Sequence, residues 1–125
     1  MSSDPYSARV RALFAAPAHA GCLDGALRTQ IEDQGVRLCL SAELAGNDIR
    51  ALRFQAWGCP HVIATAEAFC VGYEGRPIAA LLEFSASDFM QSLSVPVEKT
   101  GRILVIEDAV RSLGSTVRDA STPDD

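Results

Sequence analysis

The sequence predicts an α+β fold in which a three-stranded antiparallel meander packs against four or five helices. Two patterns lead to this prediction. Apolar and polar residues alternate from Val36 to Leu44, and beyond Trp57 the apolar residues recur at helical spacing instead. The chain has 125 residues, 48% of them apolar, which is enough to bury one core. No internal repeat divides it, so we expect a single domain over residues 1–125.

The strands follow from the alternation and from the turns beside it. Val36 to Leu44 is predicted as the central strand, because every second residue is apolar. The preceding segment, Ala26 to Glu32, can pair with it through a turn at Asp33-Gln34-Gly35. The following segment, Ile49 to Trp57, can return through Ala45-Gly46-Asn47-Asp48. Helices must then cover one face of this meander.

Helix signals account for most of the remaining chain. Pro5 and Pro60 each suit the first position of a helix, where the missing N–H costs nothing. Gly114 marks a weak point or an end in the last helix, and a disordered tail is expected from about residue 115. The predicted helices cover residues 5–15, 60 to about 74, 78–84, 88–93 and 100 to about 114.

Charge and composition exclude some partners. The formal net charge is −5 and the pI is about 4.9, which opposes binding to nucleic acids or to anionic membranes. No apolar run approaches the roughly 20 residues that span a bilayer, and the first residues lack the apolar core of a signal peptide. We expect a cytoplasmic protein.

The four cysteines are Cys22, Cys39, Cys59 and Cys70. They are scattered singly, with no C-x-x-C pair and no zinc-finger spacing, so we expect reduced thiols rather than disulfides. The sequence also has no hydrolytic constellation and no phosphate-binding glycine loop. We therefore expect a binding or carrier protein and not an enzyme.

Four stretches carry a family pattern: Pro5-Tyr6-Ser7 through Val10, Leu52 through Cys59, Ile63 through Ala66, and Ile103-Leu104 through Glu107-Asp108-Ala109. Their order and spacing resemble the U-type (IscU/NifU-like) scaffold proteins of iron–sulfur cluster assembly, with their Y-S-x-x-V, A-R-F-x-x-x-G-C and I-A-x-S motifs. The resemblance spans nearly the whole chain and implies the SufE/NifU-like fold.

This resemblance implies a site for iron or a [2Fe-2S] cluster, which that family holds with three cysteines and an aspartate. Only Cys59 matches a family cysteine. The turn that carries the first family cysteine aligns with Glu32 to Gly35, where Asp33 offers a carboxylate. The third family cysteine follows a histidine at the start of the last helix, and Lys99 to Arg102 stand there instead. We predict a transient or incomplete metal site at Cys59, assisted by Asp33 and by His61, which lies in the first turn of the following helix.

The resemblance also implies partners. The family's chaperone-docking segment, L-P-P-V-K, is only approximated here, by Val95, Pro96, Val97 and Lys99. These residues are the predicted partner-binding segment. The expected partners are a cysteine desulfurase or other cluster-assembly proteins.

Each candidate residue has a simpler structural interpretation. Cys59 lies where a strand meets a helix N-terminus, which favours its thiolate, but a small half-buried cysteine could also lie there unused. His61 would then be a surface histidine, and Asp33 would hydrogen-bond its own turn. Cys22 either swings towards Cys59 or remains in a mobile loop.

The other two cysteines are not expected at a site. Cys70 shares the apolar face of its helix, so we predict that it lies in the core. Cys39 lies on the polar side of its strand, and the sequence leaves open whether a helix covers it or it is exposed.

Three functions therefore remain open. The first is a scaffold-like protein that binds iron or a cluster weakly, with ligands from a partner or a small thiol completing the coordination. The second is a degenerate scaffold that acts as a protein-interaction or regulatory module without metal. The third is a persulfide acceptor, which needs only one accessible thiol of low pKa at Cys59.

Overall fold

The computed structural model describes residues 8–15, 17–23, 27–93 and 95–121. Two short 3₁₀ helices, Ile78–Glu83 and Val97–Lys99, precede the last two α-helices. The predicted α+β class is confirmed, and residues 5–7 of the first predicted helix lie outside the described residues. The elements are α1 (Ala8–Ala15), β1 (Leu27–Asp33), β2 (Val36–Ala45), β3 (Asp48–Trp57), α2 (Pro60–Tyr73), α3 (Ala86–Leu93) and α4 (Thr100–Ser121).

The sheet is the predicted antiparallel meander, in the order β1-β2-β3. Asp33 pairs with Val36 at the first turn, which leaves Gln34 and Gly35 as a two-residue loop. Both loop residues have positive φ, 53° for Gln34 and 75° for Gly35. This is the backbone of a type I′ hairpin, whose twist matches that of the strands.

Helices α2 and α4 cover the inner face of the sheet. Helix α2 packs on β3, and α4 packs across β1 and β2. The inward side chains of the strands form the core with the apolar faces of these helices, and Leu38, Leu40 and Leu52 are fully buried. Burying such side chains stabilises the fold by about 1.5–3 kcal/mol each, before the cost in chain entropy.

The segment after α1 pairs with the free edge of β3. The N–H of Phe54 donates to the carbonyl of His19 at 3.0 Å, and the N–H of Gly21 donates to the carbonyl of Phe54 at 2.7 Å. From Gly21 the chain crosses the outer face of the sheet, where the N–H of Leu23 donates to Oγ of Ser41 at 3.2 Å. Sequence alternation could not reveal this crossing, because it depends on residues far apart in the chain.

The last helix is longer than predicted. Helix α4 continues past Gly114 to Ser121, so residues 115–121 are helical where a disordered tail was expected. Gly114 itself is buried against the 3₁₀ helix: a Cβ there would lie 3.0 Å from Cβ of Leu81. The glycine therefore marks a close helix contact rather than a helix end.

None of the described helices is both long enough and apolar enough to cross a membrane.

Candidate functional site

Cys59 is the N-cap residue of α2 and follows the end of β3 almost directly. Its backbone is extended (φ −78°, ψ 166°), and its carbonyl accepts the N–H of Val62 at 2.9 Å and that of Ile63 at 3.2 Å. Pro60 occupies the first helical position, where its fixed φ favours the helix. The sequence thus fixes the cysteine at a strand-to-helix junction, half-buried, beside the free N–H groups of a helix start.

The surroundings of Cys59 favour its thiolate. Burial alone would raise the pKa of the thiol. The backbone N–H groups of Val62 and His61, a hydrogen bond from the Arg102 side chain and the charge of Lys99 outweigh burial, so the pKa of Cys59 is lowered from its usual value. Two of these groups belong to the start of α4, the segment where the family pattern places a histidine and a cysteine.

The β1–β2 turn reaches the same place. A Cβ added to Gly101, at the start of α4, would lie 3.5 Å from Oε1 of Gln34. The turn, the start of α2 and the start of α4 therefore converge, as the resemblance implied. At this convergence the chain presents one thiol with an amide and two cations, where the family pattern has further thiols.

Asp33 is used locally in this arrangement. Its Oδ1 accepts the N–H of Gln34 at 2.9 Å, and the residue is exposed. This is the turn-stabilising interaction that the sequence offers as the alternative to a ligand role for Asp33. Its ligand role remains a prediction.

His61 is buried, only 1% exposed, so the interpretation as a surface histidine is wrong. Helix α2 packs against both β3 and α4, and the imidazole is buried in this packing. Burial, and then the Lys99 charge, lower the pKa of His61, so its ring is neutral at pH 7.

Around Cys59, the residues that the structure describes do not supply a complete donor set for a [2Fe-2S] cluster. Such a cluster is held by four ligands, most of them thiolates. Among the described residues, no group of three or more His, Cys, Asp or Glu side chains is placed to hold a metal ion. Lys99 and Arg102 beside Cys59 repel iron cations and attract anions.

The sequence matches one protein-family pattern over most of its length. The NifU-like N-terminal domain matches residues 5–115, which is most of the sequence. The chain belongs to this family. A comparison with curated protein sequences gives no match.

Solved structures share the fold of this NifU-like domain. The N-terminal part of a nitrogen-fixing NifU-like protein from Brucella abortus superposes with a TM-score of 0.72 at 12% identity, covering 90% of this chain and 94% of that one. A protein from Fervidobacterium islandicum AW-1, described as a candidate cluster-assembly scaffold for the SUF system, gives 0.59 at 15% identity, covering 94% and 96%. A hypothetical protein from Thermus thermophilus gives 0.68 at 25% identity, covering 97% and 90%.

The other cysteines of this NifU-like domain lie apart from Cys59. Cys70 is fully buried, as predicted, and burial strongly raises its pKa. Cys39 is 9% exposed, because the chain that crosses the outer face covers it. Cys22 lies beside Cys39, whose pKa it raises electrostatically after the larger effect of burial. The hypothesis that Cys22 assists Cys59 therefore finds no support in this placement.

The four residues of the predicted partner-binding segment differ in how far they are exposed to solvent. Val95 is 9% exposed and belongs to the core, Pro96 and Lys99 are half-buried, and Val97 is 84% exposed. An apolar side chain this exposed is available to a partner. Partner binding itself remains a prediction.

Two groups of contacts escaped prediction from the sequence. The first is the approach of Arg102 and Lys99 to Cys59. The sequence analysis treats these two residues only as replacements for family ligands, although cations close to a cysteine are a signal of thiolate stabilisation. The second is His19, whose Nδ1 lies 2.7 Å from Glu67 and whose Nε2 lies 2.9 Å from Glu74. Its partners are 48 and 55 residues away in sequence, so no local pattern indicates the pairing.

Proposed function

We propose that this NifU-like domain takes part in iron–sulfur cluster assembly by accepting sulfur as a persulfide on Cys59. The observation that supports this proposal is the pairing of one thiolate-favouring cysteine with Arg102 and Lys99. This environment favours a single sulfur anion over several metal ligands. In this proposal the chain is a carrier and not an enzyme.

The proposed transfer needs no oxidant. The Cys59 thiolate attacks the outer sulfur of a persulfide on a donor protein of the cysteine desulfurase class. A bond forms between Sγ of Cys59 and that sulfur, the sulfur–sulfur bond of the donor breaks, and the donor leaves as its thiolate. Arg102 and the N–H groups at the start of α2 favour the anionic product, as they favour the thiolate.

Residues close to Cys59 in sequence line an open groove that suits a donor protein. A groove of about 490 Å³ lies between the segment after α1 and the end of β3. Trp57 and Ile63, on either side of Cys59 in sequence, line it, and Trp57 is 55% exposed. An exposed aromatic residue at a groove suits a protein partner.

The test is sulfur loading by a cysteine desulfurase with free cysteine, followed by peptide mass spectrometry after alkylation. We expect one added sulfur atom on Cys59 and none on Cys22, which is the matched control because it is exposed and lies in a loop rather than at a helix start. Cys59→Ser should accept no sulfur. Equal loading of Cys22 and Cys59, or no loading of Cys59, would contradict the proposal.

A second candidate is scaffold-like cluster binding completed by ligands from another chain or a small thiol. The convergence of the β1–β2 turn with the starts of α2 and α4 favours it, shown by the approach of Gln34 to Gly101. Anaerobic reconstitution with iron and sulfide, with and without added thiol, tests it. A visible chromophore that Cys59→Ser lacks would support this candidate over the carrier.

A third candidate is a metal-free interaction module, favoured by the exposed side chain of Val97. Val97→Asp should then abolish binding to cluster-assembly proteins while Cys59→Ser leaves it intact. Sulfur carriage predicts loss of function in Cys59→Ser even where binding persists, so these two variants separate the module from the carrier.

A further inference from the structure

Cys22 is held in place from both sides. The preceding residue, Gly21, donates its N–H to the carbonyl of Phe54 at 2.7 Å. The following residue, Leu23, donates its N–H to Oγ of Ser41 at 3.2 Å. Cys22 therefore crosses the outer face of the sheet between two fixed points.

One fixed point lies at the free edge of β3 and the other lies on β2, close to Cys39. Phe54 pairs with Leu40 across β2 and β3, and Leu40 is the neighbour of Cys39. Ser41 lies two residues after Cys39 along β2, so its side chain projects from the same face as that of Cys39. The crossing chain thus carries Cys22 over the outer face from the free edge of β3 to Ser41, the next residue on that face of β2 after Cys39.

The two thiols also differ in accessibility. Cys22 is exposed, whereas Cys39 is 9% exposed beneath the crossing chain. After the larger effect of burial, the nearby Cys22 also raises the pKa of Cys39.

From this placement we propose that Cys22 and Cys39 form a reversible intrachain disulfide when the protein meets a peroxide. The proposal does not depend on the sulfur-carrying role of Cys59. The bond would fasten the segment between α1 and β1 to the outer face of the sheet.

The chemistry balances in two steps. The exposed Cys22 thiolate attacks one peroxide oxygen, the O–O bond breaks, and a sulfenic acid forms with release of hydroxide or alkoxide. The Cys39 thiol then attacks the sulfur of this sulfenic acid, the S–O bond breaks, and the hydroxyl group leaves as water with the proton of the Cys39 thiol. The proton that Cys22 lost on forming its thiolate neutralises the hydroxide or alkoxide released in the first step. Overall, two thiols are oxidised to one disulfide and one peroxide is reduced. Hydrogen peroxide gives two water molecules, and an organic hydroperoxide gives one water and one alcohol. A dithiol reductant reverses the reaction by thiol–disulfide exchange.

The test exposes the folded full chain to hydrogen peroxide, blocks remaining thiols with N-ethylmaleimide in urea and digests with trypsin. Cleavage after arginine and lysine separates the three regions: Cys22 falls in residues 12–28, Cys39 in residues 38–50, and both Cys59 and Cys70 in residues 54–99, because Pro77 protects the bond after Arg76. We expect the first two peptides linked to each other, and the number of free thiols reduced from four to two. Dithiothreitol should restore all four.

Controls make the result specific. In Cys22→Ser, Cys39 should stay reduced at the same peroxide dose, and Cys59→Ser should still form the linked peptides. Protein oxidised in urea should lose the preference for this pair. The proposal is overturned if folded protein gives the same mixture as unfolded protein, or if residues 12–28 become linked to residues 54–99 instead.

Discussion

The Arg102 side chain at the start of α4 hydrogen-bonds Cys59 at the start of α2. The N–H groups at the start of α2, this guanidinium and the charge of Lys99 thus act on one sulfur atom, which is why its pKa is lowered although burial works in the opposite direction. This relationship carries the functional proposal, so it is the first to test.

Removing the guanidinium should make Cys59 less reactive. Arg102→Ala removes a charge-assisted hydrogen bond worth about 1 kcal/mol at this half-buried position, so alkylation of Cys59 by iodoacetamide near pH 7 should slow by roughly fivefold. The measurement is peptide mass spectrometry over a time course at several pH values. Arg50→Ala is the control, because Arg50 forms an exposed pair with Glu43 on the sheet and should leave the rate unchanged. An unchanged rate in Arg102→Ala would refute the role of that hydrogen bond.

The His19 cluster should make the fold less stable as pH rises above the ordinary histidine pKa. Both ring nitrogens of His19 contact carboxylates, at 2.7 Å and 2.9 Å, so both act as donors and the ring is an imidazolium. Burial works against the charge, but Glu67 and Glu74 outweigh it and raise the pKa of His19. The stabilisation is therefore complete below the ordinary histidine pKa and is lost as pH rises through the raised pKa of the folded state.

The measurement is urea unfolding from pH 6 to pH 9, comparing wild type with His19→Gln. The difference in free energy of unfolding between them should shrink as pH rises. His61 does not mimic this, because its lowered pKa makes a contribution that is lost only as pH falls below the ordinary histidine value. A constant difference across the range would contradict the charged state of His19.

Glu74 should be the acidic residue on which this region depends most. Its carboxylate accepts the N–H of Leu52 at 2.8 Å and contacts Arg53 at 3.0 Å as well as His19. Glu74→Ala leaves that N–H unsatisfied and should lower the free energy of unfolding by about 2 kcal/mol. The exposed Glu83 is the control, and its alanine variant should change stability by less than about 0.5 kcal/mol. Equal effects of the two variants in urea unfolding would show that the contacts of Glu74 with β3 and His19 do not stabilise the fold.

Two glycines in helices should respond to alanine with opposite signs. A Cβ at Gly114 would lie 3.0 Å from both Leu81 and Leu82, so overpacking of about 1–3 kcal/mol should outweigh the gain in helix propensity of about 1 kcal/mol. A Cβ at Gly72 meets nothing within 4 Å, so Gly72→Ala should stabilise by about 0.5–1 kcal/mol. Thermal unfolding of both variants checks the signs, and a stabilising Gly114→Ala would mean that α4 can shift away from the 3₁₀ helix.

Local patterns were sufficient for the elements of the fold. Alternation along β2, the two-residue turn at Gln34 and Gly35, and Pro60 at the start of α2 are each determined by neighbours in sequence, and the structure confirms these predictions. The glycine at 114 misled, because a packing glycine and a helix-ending glycine look the same until the partner helix is known.

Contacts between distant segments could not be predicted from local sequence patterns. The burial of His61, the cover over Cys39 and the pairing of His19 with Glu67 all depend on how the segment after α1 and the start of α4 fold back onto the sheet. The position of Cys59 at a helix start was predictable from Gly58-Cys59-Pro60. The side chains that act on its sulfur were not, because they come from a helix about 40 residues away.

The cations beside Cys59 have one more consequence for a protein that carries sulfur. A persulfide anion bears the same single negative charge as the thiolate from which it forms, so the proposed transfer leaves the charge that Arg102 and Lys99 face unchanged. A downstream acceptor would then distinguish the thiolate from the persulfide by the bulk and reach of one additional atom.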